Sequence, residues 1–319
     1  MCDLTNPIFT DESKAREYLE SVRWANGPIC PHCGSVENIT RLAGESTRPG
    51  LHQCNECSGH FTVTVGTLYE RSHIPLHKWM LATHLMCASK KGISSLQLSR
   101  MLGLTYKSAW FMTHRIRESM VPAESGPLGS GGGVVEADET FWGNSPRSKA
   151  AIASKRKQTV NDKQKIVSLV ERNGSVRSFH VASVNGETLK AILRGNVAKG
   201  AHLMTDDNHF YKAVGREFAS HQTVNHSAKE YARGNVTTNT IEGFFSILKR
   251  GLVGTFHHVS PKHLERYLNE FDFRYNARSA MGYTDAERSD LALKGIVGKR
   301  LTYRPSDQKV SDAQEEAPF

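Results

Sequence analysis

The sequence has no apolar run that approaches the roughly 18 residues of a membrane span. Its first residues, MCDLTNPIFTDESK, lack the basic segment followed by an apolar segment that makes up a secretory signal peptide. From these two absences we expect a cytoplasmic protein without a membrane partner. Acidic residues are also in deficit: 32 Asp and Glu stand against 41 Lys and Arg, which gives a net charge of +9 and a pI of about 9.2. This surplus favours a polyanionic partner, most often nucleic acid, and the alternative is a charge that only maintains solubility.

Cysteine is infrequent as well, with six residues in 319, yet four of the six form two CxxC pairs. The pairs are CPHC at 30–33 and CNEC at 54–57, with 20 residues between them. Disulfides are rare in the cytosol, whereas two tight turns that each present two thiolates suit the tetrahedral coordination of zinc. We therefore predict a zinc ribbon with one structural Zn²⁺, whose ligands are Cys30, Cys33, Cys54 and Cys57. A redox motif or free thiols are the alternatives.

The sequence also predicts the positions of the histidines near these pairs, of Cys87 and of the next strand. Four thiolates complete a zinc site, so the nearby histidines should face the surface or DNA: His32, His52 and His60. Cys87, in the apolar stretch LATHLMCA, should be a small buried apolar residue. The alternating stretch HFTVTVGT after the second pair is typical of a β-strand.

Composition divides the chain into five segments. A short amphipathic helix that Thr10 or Asp11 can cap precedes the ribbon. The stretch GPLGSGGG is predicted to be a flexible linker, because it has almost no side chains to pack. The predicted segments are an N-terminal helix and zinc ribbon (1–75), a helical region (76–125), the Gly-rich linker (126–133), an α/β core (134–300) and a disordered tail (301–319).

The helical region ends in ISSLQLSRMLGLTYKSAWFMTHRIRESM (93–120), which indicates a helix, a short turn at Gly103 and a second helix. This pattern favours a helix-turn-helix, in which the second helix enters the major groove of DNA. The alternative is a plain pair of antiparallel helices. The polar side of the second helix, which would contact DNA, comprises Tyr106, Lys107, Ser108, His114, Arg115 and Arg117.

Beyond the linker, strand and helix patterns follow in the order βββαβαβα. The dipeptide Asn173-Gly174 is a strong hairpin signal between two β-rich runs. The order predicts a mixed sheet flanked by helices. Two of its strands end in acidic residues, namely Asp138 in VEADETFWG and Asp206 with Asp207 in MTDD. Strand ends are where α/β folds build their sites, and Asp206 is preferred over Asp207.

A third acidic position lies in TTNTIEGFFSILKR (237–250). Thirty-five residues separate Asp206 from Glu242, a spacing found in one family of phosphodiester-cutting enzymes. The chemistry of those enzymes needs carboxylate ligands for two Mg²⁺ or Mn²⁺ ions that flank one phosphate. The alternative interpretation is a capping box, with Asn239 as N-cap and Glu242 bonded back to it. Glu242 and Lys249 share a stripe beside the buried face of the predicted helix.

Several long motifs carry a specific resemblance: VEADETFWG, MTDDNHFY, NHSAKEYARG, TNTIEGFFSILKRGLVGTFHHVS, HLERYLNEFDFRYNAR and, in the N-terminal part, GTLYERSHIPLHKWM. With these, residues 10–300 resemble the transposases of the IS1595 group, also called ISXO2-like. The resemblance implies an RNase H-like core with DDE-type chemistry, in which Asp138 and Asp206 are the two Asp positions. Branches of the group have Asn or Glu at the third position, followed by Lys. Asn239 and Glu242 therefore both stay open, and Lys249 would contact a phosphate.

The resemblance also implies an activity and partners. The N-terminal modules would bind the ends of an insertion sequence in double-stranded DNA. The core would free a 3′-hydroxyl with a metal-activated water, and that hydroxyl would attack target DNA without a covalent protein–DNA intermediate. We expect Mg²⁺ or Mn²⁺ as catalytic ions, a homo-oligomer on DNA, and a place at the bacterial nucleoid. Two rivals are a DNA-binding regulator with an inactive core, and a nuclease that cuts without joining strands.

The stretch SPRSKAAIASKRKQTVNDKQK (145–165) holds seven Lys or Arg and one Asp. It is predicted to be a mobile loop after the first strand of the core. A charge run of this kind is usually a solvated surface. Beside a nuclease site it can also contact the DNA backbone, and the candidates for such contacts are Lys155, Arg156 and Lys157.

Overall fold

The computed structural model describes residues 3–122, 126–143, 163–228, 230 and 232–302. The described α-helices are α1 (Glu12–Arg23), α2 (Leu76–Ala88), α3 (Ser95–Leu102), α4 (Tyr106–Ser119), α5 (Gly186–Asn196), α6 (His209–Gly215), α7 (Asn239–Gly251), α8 (Pro261–Asn276) and α9 (Asp285–Lys294). The strands are β1 (Ile39–Arg41), β2 (His52–Cys54), β3 (His60–Phe61), β4 (Val134–Trp142), β5 (Gln164–Glu171), β6 (Val176–Val181), β7 (His202–Asp206), β8 (Ser220–Val224), β9 (Ala232–Arg233) and β10 (Val236–Thr237). Within these residues, no helix combines the length and the apolar character needed to cross a bilayer.

The N-terminal module begins with α1 and the three-stranded antiparallel sheet β1–β2–β3. Asp11 caps α1, because its carboxylate accepts the backbone N–H groups of Ser13 and Lys14. The strand predicted over HFTVTVGT was wrong for most of its length. Only His60–Phe61 pairs as a strand, and the chain then runs through turns toward α2. Beyond this strand the side-chain hydroxyls of Thr62 and Thr64 form a hydrogen bond with each other, a local contact of the turn.

Helices α2, α3 and α4 pack with α1 and the ribbon around one apolar cluster. The turn between α3 and α4 contains Gly103 in the left-handed region, with φ of 60°. Helix α9, from the far end of the chain, joins the same cluster through Ala292 and Leu293, and Ile296 just after the helix joins it too. The predicted boundary had assigned residues up to 300 to the α/β core, but the structure packs α9 on the N-terminal module.

The α/β core is built on a five-stranded sheet with the order β6-β5-β4-β7-β8. Strands β4, β5 and β6 pair antiparallel, whereas β7 and β8 add in parallel to the other side of β4. The predicted hairpin at Asn173-Gly174 is confirmed, since Asn173 takes a positive φ of 58° between β5 and β6. The mixed sheet flanked by helices is therefore as expected from the sequence.

Both faces of the sheet are covered by helices. Helices α7 and α8 cover one face, over side chains of β5 and β6 that include Ile166, Val170 and Val176. Helices α5 and α6 cover the other face, where Leu189 and Leu193 pack with residues of β4, β5 and β7. Helix α8 also holds the edge strand β6, because its Asp272 accepts the backbone N–H of Ser178 at 2.7 Å. The sheet is thus the middle of three layers.

The Gly-rich stretch at 126–133 is not a contact-free linker, and that prediction was wrong. Leu128 is buried at 3% exposure and its backbone pairs with Val197 just after α5. The backbone N–H of Gly129 donates to the Glu171 carboxylate at 3.1 Å. A Cβ at Gly129 would lie only 2.5 Å from the Ala201 Cβ, so glycine is needed here for close packing. The predicted tail from residue 303 onward lies outside the described residues.

Candidate functional site

The four paired cysteines meet at one point of the N-terminal module. Their ligand atoms all lie within 4.8 Å of one another, and among the described residues no other group of three or more possible metal ligands lies this close together. The Sγ atoms of Cys30 and Cys57 are 3.7 Å apart, and those of Cys33 and Cys54 are 3.6 Å apart. Four thiolates at these separations suit one structural zinc ion, with no position left open for a substrate.

The prediction that three histidines around the ribbon face outward was wrong for His52. That side chain is only 6% exposed. Its ring stacks on Phe61 with centroids 5.6 Å apart and meets the edge of Trp24 at 5.2 Å. His52 is therefore a packing residue beneath the zinc centre. Cys87 is fully buried, as expected.

The two predicted aspartates lie on neighbouring parallel strands of the core. Strand β4 pairs with β7 as far as Glu136, which lies opposite Met204, and two residues further along Asp138 is near enough to Asp206 for the two charges to interact. The prediction that the strand ends at Asp138 was wrong, because β4 continues to Trp142 in its pairing with β5. Both carboxylates are partly buried, whereas Asp207 is exposed. The β7 strand ends at Asp206. Asp207 therefore lies just beyond the strand, in a more exposed position than Asp138 and Asp206.

The helix that carries Glu242 is capped from the sheet and not from within. Helix α7 begins at Asn239, Thr238 is its N-cap residue, and the Thr238 side chain makes no capping bond. Instead the fully buried carboxylate of Glu136 accepts the backbone N–H of Ile241 at 2.9 Å and the hydroxyl of Thr240 at 2.9 Å. The capping box with Asn239 as N-cap was thus wrong, because a carboxylate from β4 already occupies that role.

Arg172 completes this capping arrangement. Its Nε donates to Glu136 Oε1, the oxygen that also accepts from the Thr240 hydroxyl, at 2.7 Å. Its two terminal nitrogens donate to the backbone carbonyls of Asn235 and Thr237, each at 2.8 Å. One guanidinium therefore ties β4 to the β9–β10 hairpin, which leads directly into α7. The buried stripe predicted for α7 is confirmed, with Ile241 and Leu248 fully buried.

Negative charge accumulates around Asp138. Burial, followed by the charges of Glu139, Asp206 and Glu242, raises the pKa of Asp138 to about 8. Burial and the charge of Asp207 raise the pKa of Asp206 as well, against the opposing effects of the Asn208 N–H and His226. Among the described residues, no Lys or Arg forms an ion pair with Asp138, Asp206 or Glu242. Crowded carboxylates are an environment that a divalent cation stabilises.

Two residues at this site were missed by the sequence reasoning. His226 lies 3.6 Å from the Glu242 carboxylate and 3.2 Å from the Thr238 hydroxyl. Because that hydroxyl donates to Glu242 at 3.1 Å, it accepts from the Nε2–H of His226. Glu139 accepts from the side chains of Asn208 and Tyr211, both at 2.8 Å. The motifs NHSAKEYARG and VEADETFWG contain these two residues, and that was the available signal.

The remaining predicted active-site residues lie on the exposed side of α7. Asn239 is exposed in the first turn and Lys249 is exposed in the last turn. Glu242, whose side chain is 43% exposed, lies between them along the helix, and its charge contributes to the raised pKa of Asp138.

The predicted DNA-contacting face of α4 is only partly available. His114 and Arg117 are 1% and 0% exposed, because α4 packs against α8. Arg117 donates to the buried Glu270 at 2.6 Å. The prediction that His114 and Arg117 lie on a free polar side was therefore wrong. Tyr106 and Lys107 are exposed, and Ser108 and Arg115 are partly exposed. Lys155, Arg156 and Lys157, with the rest of 144–162, lie outside the described residues.

Comparison with known proteins finds a family match for each of the two modules. Residues 131–276 match the model of the ISXO2-like transposase domain, and residues 10–60 match that of a transposase zinc-ribbon domain. A protein of Halobacterium salinarum, described as an uncharacterized protein in transposable element ISH50, is 26% identical over 277 residues. That match covers 83% of this chain and 91% of the relative. The chain therefore belongs to the IS1595 (ISXO2-like) family of insertion-sequence transposases, with an N-terminal zinc ribbon.

Proposed function

We propose that this protein is a DDE-type DNA transposase in which Asp138, Asp206 and Glu242 form the catalytic centre. One observation carries the proposal: strand β4 positions all three carboxylates. It holds Asp138 itself, it pairs with the strand that ends at Asp206, and through Glu136 it caps the helix of Glu242. Three acidic residues that are far apart in sequence are thus each linked to one strand, β4.

The donor chemistry fits divalent cations. Carboxylate oxygens are the ligands that Mg²⁺ and Mn²⁺ prefer. The pKa of Asp138 is raised by burial and then by the neighbouring negative charges, and such cations would offset both. Asp138, Asp206 and Glu242 would hold the ions. When bound, they would supply Lewis-acid polarisation of a scissile phosphate and stabilise its developing charge.

The chain's own residues have separate tasks in this proposal. Thr238 orients Glu242 by donating a hydrogen bond to its carboxylate, and His226 in turn donates to the Thr238 hydroxyl. Lys249 lies two turns along the same helix and is placed to bind a phosphate of the DNA backbone. Asp207 and Asn239 are exposed and have no role in holding the ions. The joining step would use a 3′-hydroxyl of the DNA as the nucleophile, so no protein nucleophile is required.

The fold supports the same proposal. Three antiparallel strands followed by two parallel ones, in the order β6-β5-β4-β7-β8, are what we expect of an RNase H-like core. The zinc ribbon and the pair α3–α4 form the proposed binding module for the ends of the element. We also propose that the protein works as a homo-oligomer on paired ends, because strand transfer requires two ends to be held together.

The test uses purified full-length protein and end-labelled DNA that carries the terminal repeats, with and without Mg²⁺. We expect cleavage that exposes 3′-hydroxyl ends only with the metal, followed by products joined to an unlabelled target duplex. Binding without metal-dependent cleavage would instead identify a DNA-binding regulator. Cleavage without joined products would identify a nuclease. The Asp138→Asn variant is the control that separates cutting from binding.

A further inference from the structure

A groove of about 990 Å³ lies outside the acidic centre, between α4, the start of α8 and residues 300–302. Its lining is strongly basic, and among the described residues that line it none is Asp or Glu. A concave surface with one sign of charge concentrates ligands of the opposite sign. The basic residues of the groove are Lys107, Lys262, Arg266 and Arg300, together with His114, His258 and His263.

The N-terminus of α8 opens at this groove. The helix is 16 residues long and begins at Pro261, and its N-cap Ser260 makes no side-chain capping bond. The hydroxyl oxygen of Ser260 is buried and has no hydrogen-bond partner among the described residues. Pro261 has no N–H and the His263 N–H donates to the Ser260 carbonyl at 3.0 Å, so it is chiefly the positive end of the helix dipole that favours an anion such as phosphate here.

A second, independent observation points into the same groove. His114 is only 1% exposed, and neither of its ring nitrogens has a hydrogen-bond partner among the described residues. Burial, followed by the charges of Arg117, His263 and Arg266, lowers the pKa of His114 to about 2, so the ring is neutral. A neutral imidazole has one donor and one acceptor to satisfy. A buried polar group without partners is destabilising, and a ligand in the groove can supply them.

Aromatic side chains line the groove next to these polar groups. Tyr106 is 56% exposed at the start of α4. Trp110 lies one turn further, with its ring 4.2 Å from that of His114 and 5.4 Å from that of His263. Unpaired bases stack on such rings without regard to sequence. The combination of basic and aromatic residues is typical of sites that bind a single nucleic-acid strand.

We propose that this groove binds an unpaired segment of the DNA substrate, with a phosphate at the N-terminus of α8 and a base against Trp110. The inference rests on the proposed function, because it assigns part of the transposase substrate to a site remote from the acidic residues. The groove has the volume of a ligand pocket and could hold a few nucleotides. The burial of His114 and Arg117 also keeps the second half of α4 from entering a major groove.

The experiment measures binding by fluorescence polarisation with full-length protein in EDTA, so that no cleavage occurs. The probes are a blunt duplex of the terminal sequence and the same duplex with a single-stranded 3′ extension. We expect tighter binding of the extended duplex. Trp110→Ala should lower that affinity by about tenfold or more, as loss of one stacked base does, and leave blunt-duplex affinity nearly unchanged. For the extended probe, Lys262→Ala should make the slope of log binding constant against log salt concentration shallower by about 0.7, the value for one phosphate contact of a single strand.

His114→Phe keeps the ring volume and removes both nitrogens. We expect it to fold with an unchanged or higher melting temperature and to bind the extended probe more weakly. Lys190→Ala, an exposed lysine on α5, is the matched charge control and should bind like wild type. The proposal is overturned if wild type shows no preference for the extension, or if the folded Trp110, Lys262 and His114 variants keep that preference. Equal losses on both probes would indicate duplex binding instead, which also overturns it.

Failure of this inference is distinguishable from failure of the proposed function. Binding is scored in the absence of metal, whereas cleavage and joining are scored with Mg²⁺ and wild-type protein. A protein that prefers the extended duplex but never cuts would support single-strand binding in the groove and contradict the catalytic proposal. A protein that cuts and joins DNA without preferring the extended duplex would support the catalytic proposal and contradict the groove site.

Discussion

The carboxylate of Glu136 accepts the backbone N–H of Ile241 at 2.9 Å, so the strand that carries Asp138 also holds the first turn of the helix that carries Glu242. Glu136 and Asp138 are two residues apart on β4, and their side chains therefore project from the same face of the sheet. One strand thus sets the distance between two of the proposed ligands. A residue that touches no substrate can control the geometry of the centre in this way.

The first prediction concerns that cap. Glu136→Ala leaves the Ile241 N–H, the Thr240 hydroxyl and Arg172 without their acceptor, so we expect a loss of about 1–3 kcal/mol in the free energy of unfolding. Metal-dependent cleavage should fall with it, because the first turn of α7 is no longer held against β4. Thermal melting and the cleavage assay measure the two effects. Glu45→Ala, at an exposed loop position, is the control, and normal cutting by a destabilised Glu136→Ala would contradict the positioning role.

The second prediction separates the two candidates for the third catalytic position. Glu242→Gln keeps the shape of the side chain but loses an anionic oxygen, so activity should collapse with little change in melting temperature. Asn239→Ala should retain most activity. Because Thr238 is the N-cap and Asn239 is exposed, we now expect this change to cost less than about 0.5 kcal/mol, not the 0.5–2 kcal/mol of a lost cap. An inactive Asn239→Ala beside an active Glu242→Gln would reverse the assignment.

The third prediction concerns the two aspartates. Asp138→Asn and Asp206→Asn should each lower cleavage by orders of magnitude, while binding to terminal DNA persists. In metal-free protein Asp138→Asn should melt at or above the wild-type temperature, because it removes a carboxylate whose anion is disfavoured by burial and by three acidic neighbours. Asp207→Asn serves as the adjacent control and should cut normally. A clear loss of stability in metal-free Asp138→Asn would count against the proposed crowding.

The fourth prediction tests the zinc centre. Protein purified without chelators should contain one zinc per chain, and Cys54→Ser should lose it. Structural zinc contributes free energy of folding, so the ribbon should unfold while the five-stranded sheet remains. Trp24 packs at the edges of His52 and Phe61, and its fluorescence should report the change. Because α9 shares the apolar cluster of the ribbon, partial loosening of α9 is also expected. Absence of zinc in the wild-type protein would refute the assignment.

The fifth prediction is a pH dependence of stability. Asp272 is fully buried against Ser178, and burial raises its pKa to about 7 from the usual 3.8. Between about pH 4 and pH 7 the folded state therefore binds more protons than the unfolded state at this site, so its contribution to stability falls as pH rises. Asp272→Asn removes the titration. The difference in melting temperature, wild type minus variant, should decrease from pH 5 to pH 8, and a constant difference would contradict the assigned shift.

Local and periodic features were predictable from the sequence. The CxxC pairs indicated four ligands for zinc, because the two thiolates of each pair are brought together by a turn of only four residues. The hairpin at Asn173-Gly174 and the buried stripe of α7 follow from backbone propensity and from the helical period of 3.6 residues. The acidic residues in two strand patterns predicted Asp138 and Asp206 as neighbours in the sheet, although β4 does not end at Asp138 but continues to Trp142. The long motifs of the core identified the family.

Only the tertiary structure decided which surfaces those elements share. Glu136 and Arg172 cap α7 from 105 and 69 residues away in sequence, counted to Ile241, and no local pattern contains that contact. The apparent capping box of Asn239 and Glu242 was a local pattern overruled by this distant carboxylate. His114, Arg117 and His52 look like surface residues in sequence, and packing of α4 on α8 and of the ribbon on Trp24 buries them. The 3.6-residue hydrophobic period identifies which face of a helix is buried, but which other element covers that face depends on the fold of the whole chain.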